Sequence, residues 1–189
     1  VTGVLTCALP ILCYVIKKKT HYKTDLAYYQ VSEGIKKFIT KDTVIVCIGT
    51  DKCIGDCLGP LVGTLLKDNL LPLPVYGTIS NPVHALNLNE CLSVVNNKHP
   101  NSIIIAIDAC LGESKSIGEI HTRDYAIHPG KGVGKSLPDV GDASIVGIID
   151  SINNSNFFPS YSIRLSLVLD MAKVISQGIV HAYNTSINI

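Results

Sequence analysis

Two kinds of apolar pattern alternate along this chain. Thr43 to Gly49 and Ser102 to Asp108 are short runs rich in β-branched residues with almost no polar interruption. Such runs predict strands buried on both faces, as in a parallel sheet. Other segments carry helical spacing. Asp25 to Ile39 aligns Leu26, Tyr29, Ile35 and Phe38, with Val31 less well placed; Cys57 to Leu70 aligns Leu58, Leu61, Val62 and Leu65; Pro159 to Gly178 aligns Leu165, Val168, Leu169, Ala172 and Ile175. Pro72 and Pro74 close the second helix and start a strand over Val75 to Ile79. Asn81 and Pro82 mark a helix start, capped by Ser80 or Asn81, and that helix is expected to run to about Asn97. Ser116 to Ala126 and Ala143 to Asp150 read as further strands. The Gly- and Pro-rich stretch His128 to Asp142 is a loop, and the chain from His181 onward reads as frayed.

The resulting order, α-β-α-β-α-β-β-β-α, predicts α/β architecture. We expect a three-layer α/β/α sandwich of the phosphorylase/hydrolase-like kind, with a mainly parallel sheet. Residues 12–189 are expected to form a single domain. The first 16 residues, VTGVLTCALPILCYVI, are apolar and precede three lysines. The run is short for a membrane span, and its charge is on the wrong side for a signal peptide. Val1 to Ile11 resembles the conceptual translation of a sequencing-library adapter, with Leu5 in place of an expected Gln, so it is set aside from fold reasoning. As native sequence it would read as a marginal membrane anchor.

Composition narrows the partners. The 189 residues are 47% apolar, with net charge +1 and no basic run beyond Lys17 to Lys19. That argues against nucleic acid, as does the lack of Trp and the presence of only three Phe for base stacking. No membrane partner is expected. The seven Cys are an odd number, and they read as reduced thiols of a cytoplasmic protein. Cys53 and Cys57 form neither a redox C-x-x-C nor half of a zinc knuckle.

The candidate chemistry lies at strand ends. Val44 to Pro60, VIVCIGTDKCIGDCLGP, reads as strand, Gly-rich loop and helix, with Asp56 where the loop becomes the helix. Gly49 and Gly55 allow the turn, and Gly59 allows close helix–strand packing. The loop lacks both the P-loop and the dinucleotide-binding fingerprints. Asp56 alone is read as a helix cap before it is read as a site residue. Asp108 follows IIIAI at a second strand end, where a carboxylate is desolvated unless it meets a partner or ties down the next loop. Together the two could share a proton, one as base toward water and one as acid toward a leaving amine. They could equally hold a divalent metal with waters or His84, though the sequence requires no cofactor. His84, at the next strand end, is a candidate proton shuttle or a solvent-facing first-turn residue. Lys131 and Lys135 are candidates to neutralise an oxyanion or a substrate carboxylate, or are simply solvated. Asp139 and Asp142 read as turn residues, with Arg164 a candidate partner.

Four ordered motifs carry a resemblance: CIGTDKCIGDCLGPLVGT, VYGTISNPVHALNLNE, IIAIDACLG and PGKGVGKSLPDVGDASIVGI. Over about Asp25 to Gly178 the chain resembles the YyaC-type sporulation protein family of spore-forming bacteria. That family is similar to the germination protease, which degrades small acid-soluble spore proteins, and more distantly to the hydrogenase-maturation endopeptidases. The resemblance implies a sporulation-associated, peptidase-like protein in the cytoplasm of the sporulating cell or spore. Its substrate would be a protein or peptide, small acid-soluble spore proteins among them. Asp56 in GDCLGP and Asp108 in AIDAC are the implied catalytic pair, and Pro129 to Gly134 matches a loop of the protease. The His of the maturation endopeptidases follows the strand that Asp108 ends, whereas His84 precedes it, so their three-ligand metal site does not carry over. Lys52, Cys53, Ile54 and Lys131 depart from the family pattern beside the expected crevice. The alternative is a non-catalytic spore protein of the same fold that binds a protein or small ligand.

Overall fold

A computed structural model describes residues 16–129, 137–151 and 163–187. Six strands, β1 (Ile16–His21), β2 (Thr43–Cys47), β3 (Val75–Tyr76), β4 (Ile103–Gly112), β5 (Glu119–Arg123) and β6 (Ala143–Ser151), form one sheet in the order β1-β5-β6-β4-β2-β3. β6, β4, β2 and β3 are mutually parallel, whereas β5 and β1 add an antiparallel edge. The helices are α1 (Ala27–Ile35), α2 (Leu58–Asp68), α3 (Leu88–Lys98) and α4 (Leu165–Ile187).

Alternation along the central strands sorts the core into two layers. Ile45, Cys47, Ile105, Ile107 and Ile145 pack with α1, α2 and α4; Val44, Val46, Ala106 and Val146 pack with Leu88 and Val95 of α3. This is the expected three-layer sandwich. α4 is long and apolar enough to cross a membrane, but Val168, Met171, Ala172, Ile175 and Ile179 are fully buried against the sheet and neighbouring helices. That burial accounts for its apolar composition as a core helix.

Several expectations need correction. β1 has no counterpart among the expected strands, because IKKKTH is lysine-rich; it is an edge strand, where lysines discourage further pairing. The helix expected from Asn81 begins only at Leu88, because the chain continues the line of β3 instead. Val83 bridges Ile48 in parallel, and its carbonyl accepts the Gly49 amide at 2.8 Å. The strand expected at Val75 to Ile79 is correspondingly cut to two residues. β5 is five residues long rather than spanning Ser116 to Ala126. α4 does not fray at His181: Tyr28 and Tyr29 meet that ring edge-on, and the helix continues to Ile187.

β4 carries the correction that matters most for function. It does not end at Asp108 but runs on to Gly112. Its pairing with β2 stops at Ile107, while its pairing with β6 continues through Gly112.

Candidate active site

The chain passes from β2 outward to β3 and then returns to place β4 on the other side of β2. α2 and α3 make these two crossings on opposite faces of the sheet. β2 and β4 therefore flank a topological switch point, where open α/β sheets place their ligands beyond the strand C-termini. A cavity of about 340 Å³ lies there, lined by Ile48, Gly49, Cys53, Gly55, Asp56, His84, Ala85, Asp108 to Leu111, Pro129, Ile149 and Ile163. The structure thus brings Asp56, Asp108 and His84 to one cavity. Lys131 and Lys135 lie outside the described residues, as does the rest of the Gly130 to Gly134 loop.

The separation of β2 from β4 has a local cause. Ile48 N–H donates to the Ile107 carbonyl at 2.7 Å, the last bond of that ladder. In a parallel ladder the next rung would be the Ala109 amide donating toward β2. That amide donates instead to Asp108 Oδ1 at 2.8 Å. Asp108 thus takes the donor that would have held β2, and the chain turns away through Gly49, at φ 140°. A Cβ on Gly49 would lie 2.0 Å from the Asp56 carbonyl, so this turn requires glycine. Gly59 lets α2 approach as expected, since a Cβ there would lie 2.1 Å from the Ile48 carbonyl.

Asp56 occupies a 3-10 turn, Ile54–Asp56, ahead of α2. The helix takes Cys57 as its N-cap and has no side-chain cap bond, so Asp56 is not the cap. Burial among apolar side chains raises the Asp56 carboxyl to about 6, against opposing pulls from the Thr50 amide and the His84 ring. Burial raises Asp108 further, to about 8, and the Asp56 charge adds to it while the Ala109 amide opposes. The two carboxyls are electrostatically coupled, and their affinities for protons are pushed apart.

His84 sits in the loop before α3. Its amide donates to Asn87 Oδ1 at 2.8 Å, and Asn87 Nδ2 donates to the Pro82 carbonyl at 3.0 Å. The Leu86 amide donates to His84 Nδ1 at 3.3 Å. Nδ1 thus acts as an acceptor, which leaves Nε2 as the ring's donor position. His84 is a loop residue of the cavity wall, not the first-turn helix residue expected.

Burial pushes the thiols of Cys47 and Cys57 up, with Asp51 and Asp56 adding to the effect at Cys57, which makes both poor nucleophiles. No disulfide joins the described cysteines. Among the described residues no three His, Cys, Asp or Glu side chains could hold a metal ion together. A divalent ion on Asp56 and Asp108 would need its remaining ligands from water or substrate. Asp139 meets His128, and Asp142 Oδ2 accepts the Ile104 amide at 2.8 Å; Arg164 is exposed just ahead of α4. The sequence placed Cys53 beside the crevice but did not single out Cys110, Leu111, Ile149 and Ile163 as site residues. The apolar run of β4 past its carboxylate, ACLG, was the available signal.

The fold and site define an open α/β protein with a carboxyl pair in a largely apolar cavity at its switch point. Comparison with known families gives the membership: the chain belongs to the family described as "Protein of unknown function (DUF1256)", whose pattern matches residues 19–178. It is 44% identical over 150 residues to "Uncharacterized protein YyaC" of Bacillus subtilis (strain 168), covering 79% of this chain and 73% of that protein.

Proposed function

We propose that this protein is a peptidase-like hydrolase in which Asp56 and Asp108 act as a dyad on a peptide bond. The observation that carries the proposal is a pair of carboxyls lining one cavity at the switch point, both raised by burial and coupled to each other. Such a pair titrates as a unit and holds one proton between its two steps; Asp108, the more strongly raised, is assigned that proton and Asp56 the ionised role, with the two roles exchangeable. Asp56 then takes a proton from water as the oxygen attacks the carbonyl carbon. Asp108 gives its proton to the leaving nitrogen as the carbon–nitrogen bond breaks. His84 supports the ionised form of Asp56 from the cavity wall. The Ala109 amide holds Asp108 Oδ1, which leaves Oδ2 to carry the transferable proton.

The motif resemblance to the germination protease favours small acid-soluble spore proteins as substrates and a sporulating cell or spore as the setting. The test is to offer such proteins to the purified chain and to its Asp56→Asn and Asp108→Asn variants. Cleavage by the wild type, rising and falling around a maximum between about pH 6 and 8, is expected. No cleavage by the wild type, with or without added divalent ions, overturns the proposal.

A further inference from the structure

β4 is paired on both sides only as far as Ile107. From Asp108 to Gly112 its β6 side stays paired and its β2 side has no strand partner among the described residues. Parallel pairing alternates, so successive residues turn their amide and carbonyl to opposite sides. Ile107 offers its carbonyl to β2. The register with β6 shifts between Cys110 and Leu111, but the extra residue there is Ile149 of β6 and β4 itself gains none, so Ala109 and Leu111 turn their groups the same way as Ile107, toward the gap that β2 leaves. Both residues line the cavity. The Ala109 amide is already taken by Asp108. The gap is thus offered the Ala109 carbonyl and the Leu111 amide and carbonyl.

We infer that this edge binds substrate as an added strand: an extended peptide enters the gap between β4 and the departing β2 and hydrogen-bonds Ala109 and Leu111. The inference rests on the peptidase reading for the cleavage step after binding, but its geometry is independent of turnover. An extended peptide is the occupant that matches what the gap presents. A strand edge offers a donor and acceptors at backbone spacing, which another backbone satisfies in register. The flanking walls suit the side chains that alternate above and below such a strand. Ile48 and Ala85 line the cavity alongside Ile149, Ile163 and Leu111, so apolar side chains fit and charged ones do not. A peptide in this position passes directly alongside Asp108, the first residue beyond the last β2 rung. Leu111 N–H is used whether the peptide runs parallel or antiparallel to β4.

The experiment monitors the Leu111 amide by NMR in the isotopically labelled full chain carrying Asp56→Asn, which removes turnover. The probes are a blocked hexapeptide of alternating valine and alanine, and the same peptide N-methylated at alternate residues. The first should slow Leu111 amide exchange by about tenfold or more at saturation, and the N-methylated peptide should bind about tenfold more weakly, each reflecting lost or gained backbone hydrogen bonds. An unprotected Leu111 amide, or equal binding of the two peptides, overturns the inference. The two readings fail separately. Strand addition without cleavage by the wild type would remove the peptidase and keep the edge. Equal cleavage of the plain and N-methylated peptides would remove the edge and keep the peptidase.

Discussion

The two halves of β4 make the most instructive contrast in the molecule. From Ile103 to Ile107 the strand pairs with β2, joined by β6 from Ile105 on, and Ile105, Ala106 and Ile107 are wholly buried. From Asp108 to Gly112 it keeps only β6 and is half-buried throughout, and as far as Leu111 it lines the cavity. One continuous strand is thus core at one end and site at the other. The change happens within one residue, where a carboxylate captures the amide that would have extended the ladder. A doubly paired stem holds a partly unpaired tip, which is a favourable way to fix the side chains of a candidate site.

Neighbouring residues across that boundary give the sharpest test. Asp108→Asn should lower cleavage by about 10³-fold, the range of general acid–base catalysis, while the fold persists. Ile107→Val, one residue earlier, should cost about 1 kcal/mol of stability and leave turnover near wild type. Activity measured beside urea unfolding separates the two. Comparable activity losses in both variants would erase the boundary.

Truncations compare the halves by packing alone. Ile105 is fully buried, so Ile105→Ala should destabilise by about 3 kcal/mol. Leu111 is half-buried at the cavity, so Leu111→Ala should cost no more than about 1 kcal/mol and instead weaken peptide binding. Chemical denaturation midpoints check the first claim and peptide titration the second.

The carboxyl pair also predicts a pH dependence of stability. Asp108 sits near 8 in the folded chain against an ordinary 3.8, so between those values the native state binds more protons than the unfolded one. Wild-type stability should therefore fall as pH rises across that interval, with Asp56 contributing the same sign between 3.8 and about 6. Asp108→Asn removes its part of the slope. The variant should gain on the wild type as pH rises between those values, with a limiting slope of about 1.4 kcal/mol per pH unit. Unfolding midpoints at acid and alkaline pH measure this, and parallel pH curves for the two proteins would mean Asp108 is freely solvated.

Much of this was legible in the sequence. The unbroken β-branched runs of β2 and β4 specify strands buried on both faces, and the helical spacing of α1, α2 and α4 specifies the layer that covers one of them. Asp56 and Asp108 stood out because carboxylates at the ends of apolar runs need a reason to be there. Where the strands ended was not legible. Sequence marks Asp108 as an interruption of hydrophobicity, but strand length follows hydrogen bonding, and β6 pairs with β4 regardless of that side chain. β1 was hidden by its lysines, since an edge strand needs apolar residues on at most one face. The late start of α3 was hidden because Asn81 and Pro82 are sound helix-start signals. A tertiary bridge from Val83 to Ile48 outweighs them, and it is this bridge that brings His84 to the cavity.

The smallest predicted effect probes the foot of the same strand. Asp142 Oδ2 accepts the Ile104 amide at 2.8 Å, and the Asp142 amide donates to the Ile104 carbonyl at 2.7 Å. These bonds clasp the start of β4 just before β6 begins. Asp142→Ala removes only the side-chain bond, at a partly solvated position, and should cost about 1 kcal/mol. Asp142→Asn keeps an acceptor oxygen and should cost less. Neither should alter cleavage or the Leu111 amide, because the clasp lies at the opposite end of β4 from the cavity and the doubly paired stem lies between. Thermal unfolding read beside activity checks both points. A loss of activity in Asp142→Ala larger than its loss of stability would show that the stem transmits disturbance to the tip, and the two halves of β4 would then have to be treated as one unit.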